Sequence, residues 1–166
     1  IAKLEQMTAL LRDVGYKPCP LPLIWNKAIG GVLTSPDFRL AHTYEACIYA
    51  YKGTPKIRQT GHTDVFSFLT LRDQYRIHPT ERPLDLMIDL FKTFAEPGAQ
   101  IVSPFLGSGV SIYAAHEASM GCVGWDLEEA NKAKFIVKCA NWRGFNRKEL
   151  EGGDDDGMQG EENAEG

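Results

Sequence analysis

A glycine-containing turn, "SPFLGSGV" at 103–110, is the first place in this 166-residue sequence where the residue types favour ligand binding. Glycine lets a backbone approach a bound molecule closely, because it has no side chain. Gly109 is followed by Val110 and Ser111, so the turn lacks the lysine with which a P-loop contacts the phosphates of a nucleoside triphosphate. Ile112 stands where a dinucleotide-binding turn has its third glycine. The turn therefore suits a ligand without a pyrophosphate, and the alternative is that its glycines serve only tight strand-to-helix packing.

Asp126 is the second candidate binding residue, and it follows Gly109 by 17 positions. A carboxylate about 20 residues beyond such a turn commonly accepts hydrogen bonds from ribose hydroxyls. The alternative is that Asp126 caps a helix that begins at Leu127–Glu128, because aspartate is a preferred N-cap residue. The spacing leaves both interpretations open.

The elements that must position these residues alternate between helix and strand from residue 83 onwards. Apolar periodicity predicts helices at 78–98, 111–120 and 128–145, with short buried strands at 99–103 and 121–127. Upstream, it predicts a helix at 2–14 and strands at 21–27, 45–53 and 64–71. The alternation predicts an α/β fold with a mostly parallel sheet and helices on both faces. In such sheets ligands bind beyond the carboxyl ends of the strands, where the turn and Asp126 lie.

Composition and charge divide the chain into a globular body and a tail. The sequence is 43% hydrophobic, which predicts a buried core, and it has neither an apolar run of about 20 residues nor a signal segment. Residues 151–166 carry seven acids and no base, whereas the rest carries 18 bases and 15 acids. We expect a domain at 1–148 and an acidic, disordered tail at 149–166. The mildly basic body permits a nucleic-acid partner.

The four cysteines are far apart in the sequence and form no Cys-x-x-Cys pair: Cys19, Cys47, Cys122 and Cys139. This spacing argues against a zinc site. All four stand in apolar or helical contexts. We therefore expect buried free thiols in a protein of the reducing cytoplasm.

Three stretches occur in an order that resembles one enzyme family: "HPTERP" at 78–83, "SPFLGSGV" at 103–110 and "VGWDLEE" at 123–129. The family is the permuted beta class of DNA amino-methyltransferases, which modify adenine N6 or cytosine N4. "LIWNK" and "HTYEACIYAYKG" further upstream look like the segment between that family's catalytic and cofactor halves. The resemblance covers roughly residues 1–145 and implies the Rossmann-like fold of methyltransferases that use S-adenosylmethionine (SAM).

The resemblance implies that SAM is the ligand of the glycine turn, and SAM carries no phosphate that would require a lysine. The implied cofactor-binding residues are His78, Thr80, Pro104, Phe105, Gly107, Ser108, Gly109, Asp126 and Leu127. In the family the turn lies along the methionine and ribose, the acid binds the ribose and the next residue lies beside the adenine. The histidine and threonine meet the methionine end. The alternative for that motif is helix entry, with Thr80 as a polar cap before Pro83.

The sequence departs from the family pattern in three places. Ser103 replaces an aspartate, which removes a negative charge that could meet the cationic cofactor, so we expect weakened binding. Arg82 replaces a lysine and keeps the charge. The catalytic Asp/Asn/Ser-Pro-Pro-aromatic tetrapeptide is absent, and the single-proline run at 35–38 matches it only by chance. We expect the tetrapeptide upstream of Ile1, which would make this sequence incomplete at its N-terminus and leaves the catalytic residues unknown.

The implied activity is methyl transfer from SAM to the exocyclic amine of a flipped-out adenine or cytosine in DNA, as in cytoplasmic restriction–modification enzymes of bacteria or phages. Candidate contacts to the DNA backbone are Trp25, Asn26, Lys27, Lys56 and Arg58, with core packing or solubilising charge as their alternative. A catalytically inactive SAM-fold scaffold and an unrelated small nucleotide-binding domain are the competing functions. The target base, the recognition sequence and the oligomeric state, with a homodimer among the options, stay open.

Overall fold

The computed structural model describes residues 2–27, 38, 40–71 and 76–141. The helices are α1 (Ala2–Asp13), α2 (Leu84–Phe94), α3 (Val110–Glu117) and α4 (Glu129–Asn141). The strands are β1 (Lys17–Pro18), β2 (Leu23–Asn26), β3 (Tyr44–Cys47), β4 (Ala50–Tyr51), β5 (Val65–Ser67), β6 (Gln100–Ser103) and β7 (Gly121–Gly124). The predicted tail at 149–166 and the run at 35–37 lie outside the described ranges.

Two of the four strand pairings in the described ranges are parallel. β6 and β7 pair in parallel from Gln100 opposite Gly121 to Ser103 opposite Gly124. β2 is the middle strand of a second sheet, parallel to β5 and antiparallel to β3. β1 and β4 form a third, antiparallel pair. The predicted α/β architecture with parallel strands is confirmed, and the carboxyl ends of β6 and β7 lie side by side as expected.

The predicted strand at 45–53 is wrong as a single element, because the chain changes its pairing partner in the middle. β3 pairs with β2, whereas β4 pairs with β1. Between them, the carbonyl of Tyr49 accepts a hydrogen bond from the backbone N–H of Cys19 (2.8 Å), which draws the chain towards β1. The sequence shows one apolar run where the fold has two short strands.

Helix α2 begins at Leu84 and not at the predicted 78, because Pro83 disfavours helical backbone in the residue before it. The helix is packed on two sides. Leu86 packs with Trp25 and Phe66 in one cluster, to which Leu90 and Phe94 also contribute. Phe91 and Ala95 contact a second cluster, formed by Ala115, Ala118 and Met120. Helix α2 therefore lies between the sheet that contains β2 and helix α3, and it carries apolar side chains towards both.

Helix α1 forms where it is predicted, but most of its apolar side chains face solvent. Leu4, Met7 and Leu10 are between 39% and 56% exposed. Within the described ranges, none of the helices combines the length and the apolar character that crossing a membrane requires.

The four cysteines are free thiols, but the prediction that they are buried is wrong. Cys19 and Cys122 are half-buried, whereas Cys47 and Cys139 are exposed. Cys47 ends β3, an edge strand of the three-stranded sheet. Cys139 lies on α4, a helix whose side chains are mostly exposed. Apolar sequence context does not bury a residue on an edge strand or an outer helix.

Candidate functional site

The glycine turn connects the end of β6 to the start of α3. Gly107 and Gly109 have φ angles of 55° and 77°, a left-handed conformation that favours glycine. Gly109 is the residue that precedes α3, and a Cβ there would lie 2.1 Å from Cδ2 of Phe135. The backbone N–H of Leu106 donates to the carbonyl of Trp125 (3.0 Å), which joins the turn to the end of β7. Packing and backbone conformation therefore both require glycine at position 109.

Asp126 holds this turn against the beginning of α4. Its Oδ2 accepts a hydrogen bond from the backbone N–H of Gly107 (2.7 Å). Its Oδ1 accepts from the backbone N–H of Glu128 and from the side-chain amide of Asn131, both at 3.0 Å. These three hydrogen bonds, the one from Glu128 foremost, stabilise the charged carboxylate and hold the pKa of Asp126 below its ordinary value. Helix α4 begins at Glu129, three residues after Asp126, so the carboxylate braces the segment that enters the helix and is not the cap that the alternative expected. The same carboxylate fixes the turn.

The ribose interpretation of Asp126 remains compatible with these contacts. An ionised carboxylate has about four lone-pair positions, and the three donors occupy one on Oδ2 and two on Oδ1. Oδ2 therefore retains the capacity to accept a hydroxyl hydrogen bond.

The loop that carries His78 and Thr80 lies against the glycine turn. A Cβ on Gly107 would lie 3.6 Å from Nδ1 of His78. The backbone N–H of Thr80 donates to His78 Nδ1 (3.3 Å), and Thr80 Oγ1 lies 3.1 Å from the same nitrogen. Helix α2 has Pro83 before its first turn and no side-chain capping hydrogen bond. The alternative in which Thr80 caps α2 is therefore wrong.

These parts enclose a cleft of about 210 Å³ at the carboxyl ends of β6 and β7. It is lined by His78, Thr80, Arg82, Met87, Phe105, Leu106, Gly107, Ser108, Val110, Ser111 and Asp126. Six of the nine predicted site residues thus come together from three separate stretches of sequence. Pro104, Gly109 and Leu127 do not line the cleft: Pro104 is exposed, Gly109 lies beneath Phe135 and Leu127 is 96% exposed.

Sequence reasoning missed several of the lining residues, above all Met87 and Ser111. Val110 and Ser111 begin α3 directly after the turn, and their position one helical turn from Gly107 could have marked them. Met87 faces the cleft from α2, and an apolar residue within a helix has no sequence feature that marks it as a binding residue. Ser103, which replaces the family's aspartate, lies outside the lining, and its hydroxyl is 3.4 Å from that of Ser111.

Of the five candidate DNA-backbone contacts, Trp25 lies in the core and three others have a partner within the chain. Trp25 is 8% exposed, and its indole N–H donates to the carbonyl of Phe68 (2.8 Å), so the core alternative is correct for it. Lys27 pairs with Glu45 at 2.9 Å. Arg58 pairs with Glu96 at 2.8 Å, the side-chain amide of Asn26 donates to Ser67 (3.2 Å), and Lys56 is exposed.

Comparison with known proteins gives relatives in sequence and in structure, although no protein-family model matches the chain. The sequence is 29% identical over 127 residues to YubD, a candidate methylase of Escherichia coli (strain K12). That match covers 76% of this chain and 53% of YubD, so the chain spans about half the length of this relative.

Three solved structures share the architecture at low sequence identity. The SAM complex of M1.HpyAVI has a TM-score of 0.71 and 16% identity, over 82% of this chain and 69% of its own. The cytosine-N4-specific PvuII DNA methyltransferase has a TM-score of 0.62 and 15% identity, and the match covers 80% of this chain and 56% of that enzyme. The third structure is TTHA0409, a candidate DNA modification methylase from Thermus thermophilus complexed with S-adenosyl-L-methionine. It has a TM-score of 0.60 and 18% identity, and the match covers 82% of this chain and 59% of TTHA0409. The chain therefore has the Rossmann-like fold of these methyltransferases, which confirms the resemblance at the level of the fold.

Proposed function

We propose that this chain binds SAM in the cleft and forms the cofactor-binding part of a DNA methyltransferase that acts on the exocyclic amine of adenine or cytosine. The observation that carries the proposal is the convergence of His78, Thr80, the glycine turn and Asp126 on one cleft. Relatives with the same fold include a DNA methyltransferase and structures with bound SAM. DNA is the proposed partner.

The cleft residues suit a nucleoside that carries no phosphate. Of its lining residues, only Arg82 carries a permanent positive charge, and none is a lysine of the P-loop kind. The left-handed glycine at 107 leaves the turn open to a ligand, and Asp126 Oδ2 can accept a ribose hydroxyl. Ligand pockets for drug-sized molecules measure about 300–1,000 Å³. The cleft of about 210 Å³ therefore accommodates part of SAM, and the exposed Phe105 and Leu127 offer apolar surface for the rest.

The contribution of this chain to the reaction is orientation of the cofactor. Bound SAM would supply an electrophilic methyl group on its sulfonium. The chain's own groups would hold the ribose at Asp126 and the amino-acid end beside His78 and Thr80, and would thereby orient the cofactor. Holding two reactants in line lowers the entropic part of the barrier. A target base must leave the DNA stack to meet the methyl group.

A non-catalytic SAM-binding module is the second candidate function. The tetrapeptide that polarises the target amine in the related family does not occur in these 166 residues, and this observation favours it. SAM binding and methyl transfer must therefore be measured separately.

Calorimetry of SAM binding to the 166-residue chain tests the cofactor proposal. We expect binding by the wild type and a loss of at least about tenfold in affinity for Asp126→Ala, the scale of a lost hydrogen bond to a charged group. Glu96→Gln, at an exposed ion pair away from the cleft, is the matched control and should bind as the wild type does. Absence of wild-type binding, or equal affinity of Asp126→Ala, would contradict the proposal. If a nucleotide displaces bound SAM while its own concentration is below that of SAM, the nucleotide-binding alternative is supported.

Transfer of a labelled methyl group to unmethylated DNA separates the enzyme from the scaffold. We expect background turnover from the 166-residue chain, because it lacks the tetrapeptide. Methyl transfer by a longer form of the protein that contains such a tetrapeptide would favour the enzyme. As the control, substitution of the first residue of the tetrapeptide should abolish that methyl transfer. Turnover by the 166 residues alone would contradict the requirement for the tetrapeptide.

A further inference from the structure

Glu81 lies between the loop that carries His78 and helix α4, and its side chain is 1% exposed. Its Oε2 accepts a hydrogen bond from the backbone N–H of Ile77 (2.9 Å), the residue before His78. Its own backbone N–H donates to the carbonyl of His78 (3.0 Å). The two contacts close the segment 77–81 into a turn, so the position of His78 depends on where the Glu81 carboxylate is held.

Lys138 of α4 holds that carboxylate. Its ammonium donates to Oε1 of Glu81, and its side chain is 11% exposed. The same ammonium lies 5.6 Å from the centre of the Tyr113 ring on α3. Buried charges are costly unless paired, so the pair fastens the loop to α4 at a defined place.

The other end of this connection reaches the glycine turn. Asn131, about two helical turns before Lys138 on the same face of α4, donates to Asp126, which in turn accepts from the N–H of Gly107. Helix α4 therefore holds the turn through Asp126 and the His78 loop through Glu81. The two walls of the cleft share one support.

We propose that Glu81 and Lys138 are positioning residues for the cleft, which fix His78 and Thr80 over the glycine turn for cofactor binding. The identity of the cofactor in this proposal rests on the proposed function, whereas the positioning of His78 and Thr80 does not. Neutral residues of similar volume often substitute for a buried ion pair without loss of stability, so replacing both partners tests loop position separately from folding. The Glu81 carboxylate also accepts the hydrogen bond from the backbone N–H of Ile77, so the same group that pairs with Lys138 fixes the position of the loop.

The test compares the wild-type 166-residue chain with the double variant Glu81→Gln/Lys138→Met. This pair keeps side-chain volume and leaves no buried charge unpaired, so it is designed to fold. The control is Glu129→Gln/Lys132→Met, which removes an exposed ion pair from the same helix. Nuclear Overhauser contacts between the His78 ring and Gly107 report loop position, and calorimetry reports SAM affinity.

We expect the double variant to lose the His78–Gly107 contacts, to keep the Trp25–Phe66 core contacts and to bind SAM at least about tenfold more weakly. The control should match the wild type in all three. Retained His78–Gly107 contacts or wild-type affinity in the double variant would overturn the proposal. A double variant that does not fold would also overturn it, because the pair would then serve stability. If the wild type does not bind SAM but the contacts depend on the pair, the cofactor proposal fails and the positioning role stands.

Discussion

His62 is held between two hydrogen-bond acceptors. Its Nδ1 lies 2.6 Å from the carbonyl oxygen of Thr63, and its Nε2 lies 3.0 Å from Oδ2 of Asp89 on α2. A neutral imidazole has one N–H and can donate to only one of them, whereas the protonated ring donates to both. The Thr63 carbonyl and the Asp89 carboxylate therefore raise the pKa of His62. The ring also stacks on Phe66, with centroids 4.6 Å apart.

The raised pKa of His62 predicts a pH-dependent stability. Protonated His62 stabilises the fold fully below the ordinary histidine value of 6.5, and this contribution is lost as pH rises through the higher folded-state pKa. Urea unfolding measured across that range should show a falling free energy of unfolding for the wild type. His62→Gln should remove that part of the slope, whereas His116→Gln, at an exposed position, should keep it. Identical slopes for the wild type and His62→Gln would contradict the assignment.

Asp126 marks the limit of sequence reasoning at this scale. Its spacing from the turn identified it as a site residue, and it lies in the cleft. Spacing could not decide between a cap and a ligand contact, because both need only a carboxylate at the end of a strand. The three hydrogen bonds show that Asp126 holds both the glycine turn and the segment that enters α4, and ribose binding stays a prediction.

At the scale of elements, α2 is the centre of the packing. It contributes Leu86 and Leu90 to the cluster with Trp25, and Phe91 to the cluster under α3. Its backbone also holds the segment between β4 and β5, because the carbonyl of Thr93 accepts a hydrogen bond from the N–H of Arg58 (2.8 Å). Loss of packing on either side of α2 should therefore weaken the whole fold.

Leu86→Ala tests this role. Leu86 is 2% exposed, and truncation of a fully buried leucine typically costs about 2–5 kcal/mol of the free energy of unfolding. Lys92→Ala, at an exposed position of the same helix, should change stability by less than about 0.5 kcal/mol. Urea unfolding of both variants measures the difference. Equal stability of the two would mean that α2 is not a packing centre.

The long helices were predictable because each carries its own apolar period over several turns. Strand β1 has two residues, too few for any pattern, and it exists because β4 pairs with it. The contact between Glu81 and Lys138 joins residues 57 positions apart. Neither residue has a sequence feature that distinguishes it from a solvent-exposed charge, so the support for the His78 loop was not predictable.

At the scale of the whole molecule, one face of the β6–β7 pair is apolar and exposed. Val102 and Val123 are register partners and are 58% and 54% exposed, and Trp125 at the end of β7 is 54% exposed. Single exposed apolar residues are ordinary, but a contiguous group of them favours association.

We therefore expect the 166-residue chain to self-associate as its concentration rises. Val102→Lys/Val123→Glu places opposite charges at paired positions, which is favourable across strands, and should keep the chain monomeric. Sedimentation velocity over a concentration series measures this. Leu21→Lys, at an exposed apolar residue away from these strands, is the control and should associate as the wild type does. A wild type that stays monomeric at every concentration would contradict the prediction.

The fit of the Phe135 ring over Gly109 limits how the candidate site can be altered. No side chain fits at 109 unless the aromatic ring moves, and the left-handed backbone there already disfavours every residue except glycine. Saturation mutagenesis of the turn should return glycine alone at this position among folded clones. Any effort to redesign the site for a different small molecule must leave 109 fixed and vary Ser111, which faces the cleft from the first turn of α3.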